Sequence, residues 1–407
     1  MLLEFQDGKS IKCSPYHPLH PSEHEKRRLF VPLPPHQLIT TQTEWQDCLA
    51  ALKRESRVAI DLEANSMYAY RERVCLIQIS IPDQDYIVDP VAKLDLSGLG
   101  ELMADTAVEK VFHAAEYDLI LLKREYEWEL NNLFDTMWAA RILGYKQYGL
   151  ASLLKKLFDL KLDKQYQKSN WCRRPLSPAQ LTYAQLDTHY LLQLRDHLEK
   201  ELADANRMAE AQEIFLEQTG VQPGIHEFDP DSFWSIHGVH ELSGEQRAIL
   251  KAINIYRDQE AQRRNQPLFK IFGDRTMMEL ARHCPKTFNE LQQVYGMSSG
   301  QVRRYGKQLL RIIEENQDAQ PPRQPKRPTR PPDDVLCRYE KLHNWRKHRA
   351  QKRGVESDVI LSRDTLWAIA RQNPRSTEEL AQLQEMGAWR CQTYGDDIIR
   401  LLSNHRQ

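Results

Sequence analysis

Apolar and polar positions first alternate regularly at RVAIDLE (57–63). There Val58, Ile60 and Leu62 share one face of an extended segment, and Ala59, Asp61 and Glu63 share the other. Two more strand-like runs follow, VCLIQIS (74–80) and DYIVD (85–89), separated by a short link containing Pro82 and Asp83. So short a link implies that the sheet begins antiparallel. A helix near 98–104, a strand at 108–113 (VEKVFH) and a helix from about 115 to 125 come next. An amphipathic stretch from Thr43, with Trp45, Leu49 and Leu52, precedes the first strand and reads as helical. From Phe134 to Ala211 helical patterning dominates, so the body is expected to be a mixed α/β sheet followed by helices.

The C-terminal third is helical and repeats itself. IYRDQEAQRR (255–264), RTMMELARHCPKTFNEL (275–291) and RRYGKQLLRII (303–313) recur 89 residues later as NWRKHRAQKR (344–353), DTLWAIARQNPRSTEEL (364–380) and QTYGDDIIRLL (392–402). At this one offset Thr276 matches Thr365, Ala281 matches Ala370, Pro285 matches Pro374, Leu291 matches Leu380, and Tyr305–Gly306 matches Tyr394–Gly395. A constant offset at all these positions predicts two copies of one small helical module. Between them AQPPRQPKRPTRPP (319–332) holds six prolines, four basic residues and no acid, the composition of an extended, semi-rigid tether. Residues 1–40 are rich in Pro and His, show no period, and are expected to be irregular.

At 407 residues the chain is too long for one compact core, which implies two or three domains. It contains no run of 18 apolar residues, so no membrane span is expected, and its start lacks the apolar region of a secretory signal. The seven cysteines, at 13, 48, 75, 172, 284, 337 and 391, make no CxxC. They are expected to be reduced thiols of a cytoplasmic protein, neither a disulfide framework nor a structural zinc site. The net charge of −1 conceals a division: residues 241–407 hold 30 basic and 21 acidic side chains, residues 1–240 hold 26 and 36. A basic tail behind an acidic body suits a polyanion-binding appendage on a catalytic unit, and suits equally a pair of well-solvated helical domains.

Three short segments carry candidate chemistry. Asp61 and Glu63 project together from one strand face, where two carboxylates repel unless cations neutralise them. Hard oxygen ligands in that arrangement favour magnesium or manganese. In VFHAAEYDLILL (111–122), Asp118 lies early in a helix, either a further ligand or a first-turn acid complementing the helix dipole. In LTYAQLDTHYLLQL (181–194), Tyr183 and Asp187 stand four apart on one helix face, where a phenol can sit beside a metal-bound water.

In chain order, DxE on a first strand, an aspartate in a later helix and YxxxD in a still later one resemble the DEDD 3′→5′ exonucleases of the tyrosine subclass. FDTMWAARILGY (134–145) and WCRRPLSPAQLTYAQLD (171–187) extend the likeness to ribonuclease D, and the repeated module resembles the HRDC domain in tandem. The resemblance covers about residues 40–405. It implies an α/β RNase H-like catalytic domain, a mixed sheet with helices, followed by two small all-α HRDC domains. The corresponding division is an irregular extension (1–40), an exonuclease domain (41–215), a linker (216–240), a first HRDC domain (241–318), a Pro/Arg-rich linker (319–332) and a second HRDC domain (333–407).

The resemblance further implies two divalent ions, Mg²⁺ or Mn²⁺. Asp61 would bridge both, Glu63 and Asp187 would hold the one that activates water, Asp118 would support the one that steadies the departing 3′-oxygen, and Tyr183 would orient the water. The implied activity is 3′→5′ exoribonuclease, releasing nucleoside 5′-monophosphates from tRNA precursors or other structured RNA with a 3′ tail. Residues 155–174 add Lys155, Lys156, Lys161, Lys164, Lys168, Arg173 and Arg174, interleaved with Tyr166 and Trp171. Cations for phosphates and aromatic faces for bases make a single-strand channel. Lys164, Lys168, Trp171, Arg173 and Arg174 are therefore candidate nucleic-acid contacts, with Arg303, Arg304 and Lys307 in the first repeat. Arg346, Lys347, Arg349, Lys352 and Arg353 are candidates in the second. A DNA 3′→5′ exonuclease would use the same five residues, but no P-loop GxxxxGK[ST] or other helicase or polymerase motif accompanies them. A non-catalytic binding module conflicts with the intact acidic set.

Overall fold

The structure is a computed structural model and describes residues 33–224, 227–326 and 329–403. Residues 1–32 of the expected irregular extension, and Cys13 with them, lie outside the described residues. The first unit runs β1 (Gln37–Ile39), α1 (Gln42–Leu52), β2 (Arg57–Ala64), β3 (Val74–Ile81), β4 (Gln84–Val88), α2 (Ser97–Ala104), β5 (Glu109–Phe112), α3 (Glu116–Tyr126), β6 (Leu133–Asp135), α4 (Thr136–Ile142), α5 (Leu150–Phe158), α6 (Pro178–His189), α7 (Leu191–Asp204) and α8 (Met208–Thr219). Its six strands form one mixed sheet in the order β1-β4-β3-β2-β5-β6. β2, β3 and β4 pair antiparallel, as the short links require, and β1, β5 and β6 join parallel to their neighbours. All eight residues of β3 are buried, the mark of a central strand covered on both faces.

Two elements depart from the sequence expectation. Gln37–Ile39 is an edge strand on β4 rather than irregular chain, and Leu133–Asp135 is a strand where helices were expected. Each has three residues, too few to show a period; their ladders come from the neighbouring strand.

The second and third units are the expected repeat. α9 (Gly244–Arg264), α10 (Leu268–Ile271), α11 (Asp274–His283), α12 (Phe288–Gln293) and α13 (Ser299–Glu315) are followed by α14 (Asp333–Arg353), α15 (Ser357–Ile360), α16 (Arg363–Gln372), α17 (Thr377–Ala381) and α18 (Ala388–Ser403). Each helix start is displaced by the same 89 residues seen in the sequence. The matched Tyr–Gly pairs have a packing cause. Tyr305 and Tyr394 are buried, and a Cβ on Gly306 would lie 2.9 Å from Phe288, one on Gly395 3.0 Å from Thr377. The span expected as a linker, 216–240, is partly structured: α8 continues to Thr219, and Phe233, Ile236 and Val239 are buried in the core of the first repeat. The described residues of 319–332 form no helix or strand. No helix among the described residues is long and apolar enough to cross a membrane.

The second repeat docks on the first unit. Val359 is buried in the large core of that unit. Arg141 pairs with Glu356 at 2.7 Å and Asp358 at 2.5 Å, and Arg353 with the buried Glu210 at 2.6 Å. Glu213 accepts from the Trp389 backbone N–H at 2.5 Å, while Arg390 pairs with Glu213 and Glu217. The first repeat touches the loop after β2, where the Tyr70 hydroxyl donates to Asp258 at 2.6 Å and the Tyr70 N–H to Asn265 at 3.1 Å.

Candidate active site

β2 delivers Asp61 and Glu63 on one face, as the alternation requires, at the end of a strand whose Val58, Ala59 and Ile60 are buried. α6 lies across this face of the sheet. It begins where it does because Ser177 and Gln180 form a capping box and Pro178 occupies the first turn. Ala184 and Thr188 turn into the protein, which sets Tyr183 and Asp187 toward β2. Ligand atoms of Asp61, Glu63 and Asp187 lie within 4.8 Å of one another.

Asp118 enters from the first turn of α3 and is buried. Burial and the nearby charges of Asp61 and Asp135 hold its carboxyl well above the usual carboxylate range. Burial pushes Asp61 up to about 7 and Glu63 to about 10, the latter reinforced by Asp61, Asp187 and Asp118. Asp187 is raised by burial and by Asp61. No basic side chain among the described residues contributes to any of these four shifts. Three gathered carboxylates and Asp118 near enough to be raised by Asp61, with no basic side chain among the described residues acting on them, suit hard divalent cations, and oxygen donors without sulfur or imidazole suit Mg²⁺ or Mn²⁺.

The site rests on residues that the sequence did not single out. Asp135 is fully buried, and its carboxylate accepts from the backbone N–H groups of Ala114 (3.2 Å), Ala115 (2.8 Å), Met137 (2.8 Å) and Trp138 (3.1 Å). It caps α4 and pins the start of α3, which carries Asp118. An Asp before a helical run, as in FDTMW, was the available signal. His113 donates to or accepts from Thr136 at 2.9 Å, and burial lowers its pKa to about 4, so it is a neutral structural group. Beneath α6, Asp85 takes hydrogen bonds from Ser80 (2.5 Å) and Gln185 (2.6 Å) and faces His189 Nδ1 at 2.8 Å, fixing the helix to β3 and β4.

Several expected contacts are corrected. Trp171 is 1% exposed and offers no face to a base; it packs against the Tyr183 ring, centroids 5.8 Å apart, and so backs the tyrosine. Arg174 is held by Asp89 through Nε and Nη2, both at 2.6 Å, and by the Cys75 carbonyl at 2.9 Å, so its charge is already matched. In the second repeat Arg346 is buried against the Leu361 carbonyl, Arg349 pairs with Asp397, and Arg353 is consumed by Glu210. Lys164, Lys168, Arg173, Arg303, Arg304 and Lys307 are exposed. The expectation of reduced thiols throughout is also corrected. Cys75 and Cys172 form a disulfide, because β3 and the loop before α6, 97 residues apart in sequence, pack side by side.

Where the first unit meets the first repeat lies a cleft of about 500 Å³ lined by Asn65, Tyr68, Arg71, Arg73, Asn170, Arg173 and Asn265. It has no acidic lining residue. Asn65 and Asn265 each spend the side-chain oxygen on a backbone N–H, of Arg73 at 2.9 Å and Tyr70 at 3.1 Å. Their amide N–H groups are left as donors beside three guanidiniums. Asn65, which lines this donor-rich cleft, follows Glu63 by two residues on the chain.

Comparison with known proteins agrees with this geometry. A 3′-5′ exonuclease family model matches residues 36–203, and an HRDC domain model matches 246–313 and 336–402. The ribonuclease D of Acidiphilium cryptum is 30% identical over 372 residues, 88% of this chain and 92% of the relative. That of Sphingobium indicum is 30% identical over 376 residues, 90% and 94%. Among solved structures, the catalytic core of RRP6 from Trypanosoma brucei superimposes with a TM-score of 0.64 at 27% identity, covering 72% of this chain and 85% of that one. Escherichia coli RNase D superimposes with a TM-score of 0.62 at 22% identity over 92% of this chain and 100% of that chain, a likeness of fold.

Proposed function

The chain belongs to the ribonuclease D family of 3′→5′ exoribonucleases, and from that premise we propose how its own residues carry out the reaction. Asp61, Glu63, Asp118 and Asp187 would hold two divalent cations, Mg²⁺ or Mn²⁺. The gathering of Asp61, Glu63 and Asp187 within 4.8 Å, with the charge of Asp118 acting on Glu63 and no basic side chain among the described residues acting on them, is the observation that supports this reading. When bound, the ions supply Lewis-acid stabilisation of both the attacking and the departing oxygen of the phosphodiester.

Tyr183 positions the attacking water. Burial, then the charges of Asp187, Glu63 and Asp61, raise its phenol pKa, so it keeps its proton and works as an orienting hydroxyl rather than a base. Trp171 and Tyr166 hold that ring from behind and from the edge. The Asn65–Arg73–Arg173 cleft takes the phosphates of the strand upstream of the terminal nucleotide, and exposed Lys164 and Lys168 extend its rim. Arg303, Arg304 and Lys307 of the first repeat receive the structured part of the RNA. The second repeat, whose Arg346, Arg353 and Arg390 are engaged inside the protein and whose half-exposed Arg349 pairs with its own Asp397, acts as a strut.

The substrates are precursors of tRNA and other structured RNAs with a 3′ tail. Purified protein is incubated with a 3′-extended tRNA transcript and its DNA counterpart, in magnesium or EDTA. Stepwise loss of 5′-monophosphates from the RNA in magnesium alone is expected; internal cleavage, or equal trimming in EDTA, refutes the assignment.

A further inference from the structure

Gln78 lies on β3 directly across from Asp61 in antiparallel register. Opposed residues on antiparallel neighbours project from the same face, so the Gln78 carboxamide shares the face that bears Asp61 and Glu63. That face is closed by α6: Ser80, two residues along β3, meets Thr188 of α6 at 2.7 Å. Gln78 is 0% exposed, and neither its Oε1 nor its Nε2 has a hydrogen-bond partner.

The neighbours make this orphan conspicuous. Ser80 and Asp85 satisfy each other, and the Gln185 amide donates to Asp85 at 2.6 Å and to the Pro34 carbonyl at 2.7 Å. Leu76, Ile77 and Ile79 flank Gln78 and are buried without such a need. A leucine or methionine at 78 fills the same volume with no polar group to desolvate, whereas an unpaired carboxamide leaves its desolvation uncompensated. A buried group of this kind calls for a role in the chemistry of the face it shares.

We propose that Gln78 is a positioning residue of the catalytic centre: with cations bound, its Nε2–H donates to the Asp61 carboxylate and fixes the orientation in which Asp61 addresses them. This role rests on the cation site proposed above. In this structure the amide has no hydrogen-bond partner, the Asp61 carboxylate included. With Asp61 holding cations, the Nε2–H would have that carboxylate as its acceptor. Gln78 touches neither water nor RNA and acts through Asp61.

The test uses the full chain and two variants, Gln78→Met, which keeps volume and removes the amide, and Gln78→Asn, which keeps the amide but shortens its reach. Mn²⁺ binding is measured by calorimetry, thermal stability in EDTA by scanning calorimetry, and kcat and KM on a short oligoribonucleotide. Expected is a ten- to hundredfold weaker Mn²⁺ affinity in both variants, the range for losing a group that orients a metal ligand. Also expected are a lower kcat at unchanged KM, and a Gln78→Met protein at least as stable in EDTA as the native chain. Native Mn²⁺ affinity in either folded variant overturns the role of Gln78 alone, as does a Gln78→Met chain less stable than native in EDTA, which means the amide has a structural partner. A native chain that binds no Mn²⁺ overturns the cation site and this role with it.

Discussion

Glu210→Gln tests the contact that seats the second repeat on the nuclease body, and loosens besides a longer pair, 3.5 Å, with Arg207 of that body. Glu210 is fully buried on α8 and receives both ends of the Arg353 guanidinium, Nη1 at 2.6 Å and Nη2 at 2.9 Å. The other acceptors of Arg353 are the Tyr394 hydroxyl at 3.1 Å and the Ile142 carbonyl at 3.4 Å, both neutral. Glutamine keeps the shape and removes the charge, stranding a guanidinium whose side chain is 14% exposed. Removing one member of a buried pair costs roughly 3–5 kcal/mol, and the residual exposure with the two neutral acceptors sets the expectation at the lower end, about 3 kcal/mol. At about 1.4 kcal/mol per factor of ten, the undocked population grows roughly a hundredfold. The reporter is the Trp389 backbone N–H, which donates to Glu213 across the same interface. Its hydrogen exchange follows the open population as long as reclosing is fast. Exchange at Trp389 should accelerate about a hundredfold, while the amides of Ile77 and Ile79 in the central strand keep their protection. An acceleration below about threefold means that the pair does not hold the interface and that the strut role is misassigned.

Asp61→Asn removes the carboxylate whose charge acts on Glu63, Asp118 and Asp187 alike, and should lower kcat by about a thousandfold or more at unchanged circular dichroism, because cations stabilise both the attacking and the departing oxygen; magnesium-dependent activity near the native level contradicts the site. Arg71→Ala, Arg73→Ala and Arg173→Ala should each reduce the slope of log affinity for single-stranded RNA against log salt by about 0.7, the value for one released counterion. Unchanged slopes in titrations from low to moderate salt exclude the cleft as the strand's path. Trp171→Ala should cost about 3–5 kcal/mol in urea unfolding, as a large buried aromatic does, and lower kcat through the unsupported Tyr183 ring. A variant that folds normally and loses only RNA affinity would restore the base-stacking reading.

Much of this protein was written into local pattern. The period-two alternation at 57–63 fixed both the strand and the shared face of Asp61 and Glu63, because side chains on a strand alternate by geometry alone. The i, i+4 spacing did the same for Tyr183 and Asp187, and the 89-residue offset for the paired helical modules. These are properties of one element at a time. What needed the tertiary structure was every question about which elements meet. Charge counting found an acidic body and a basic tail, and could not tell that Arg353 and Arg390 would be spent on Glu210, Glu213 and Glu217 of the same chain. Pattern gave Trp171 and Arg174 the residue types of an RNA channel, while packing made one the support of Tyr183 and the other a clasp on Asp89. The Cys75–Cys172 bond and the facing of Gln78 with Asp61 depend on strand register and loop placement. A carboxylate or guanidinium carries the same formal charge wherever it stands in the chain; its role is set by what lies within a few ångströms of it, and only the folded backbone decides that.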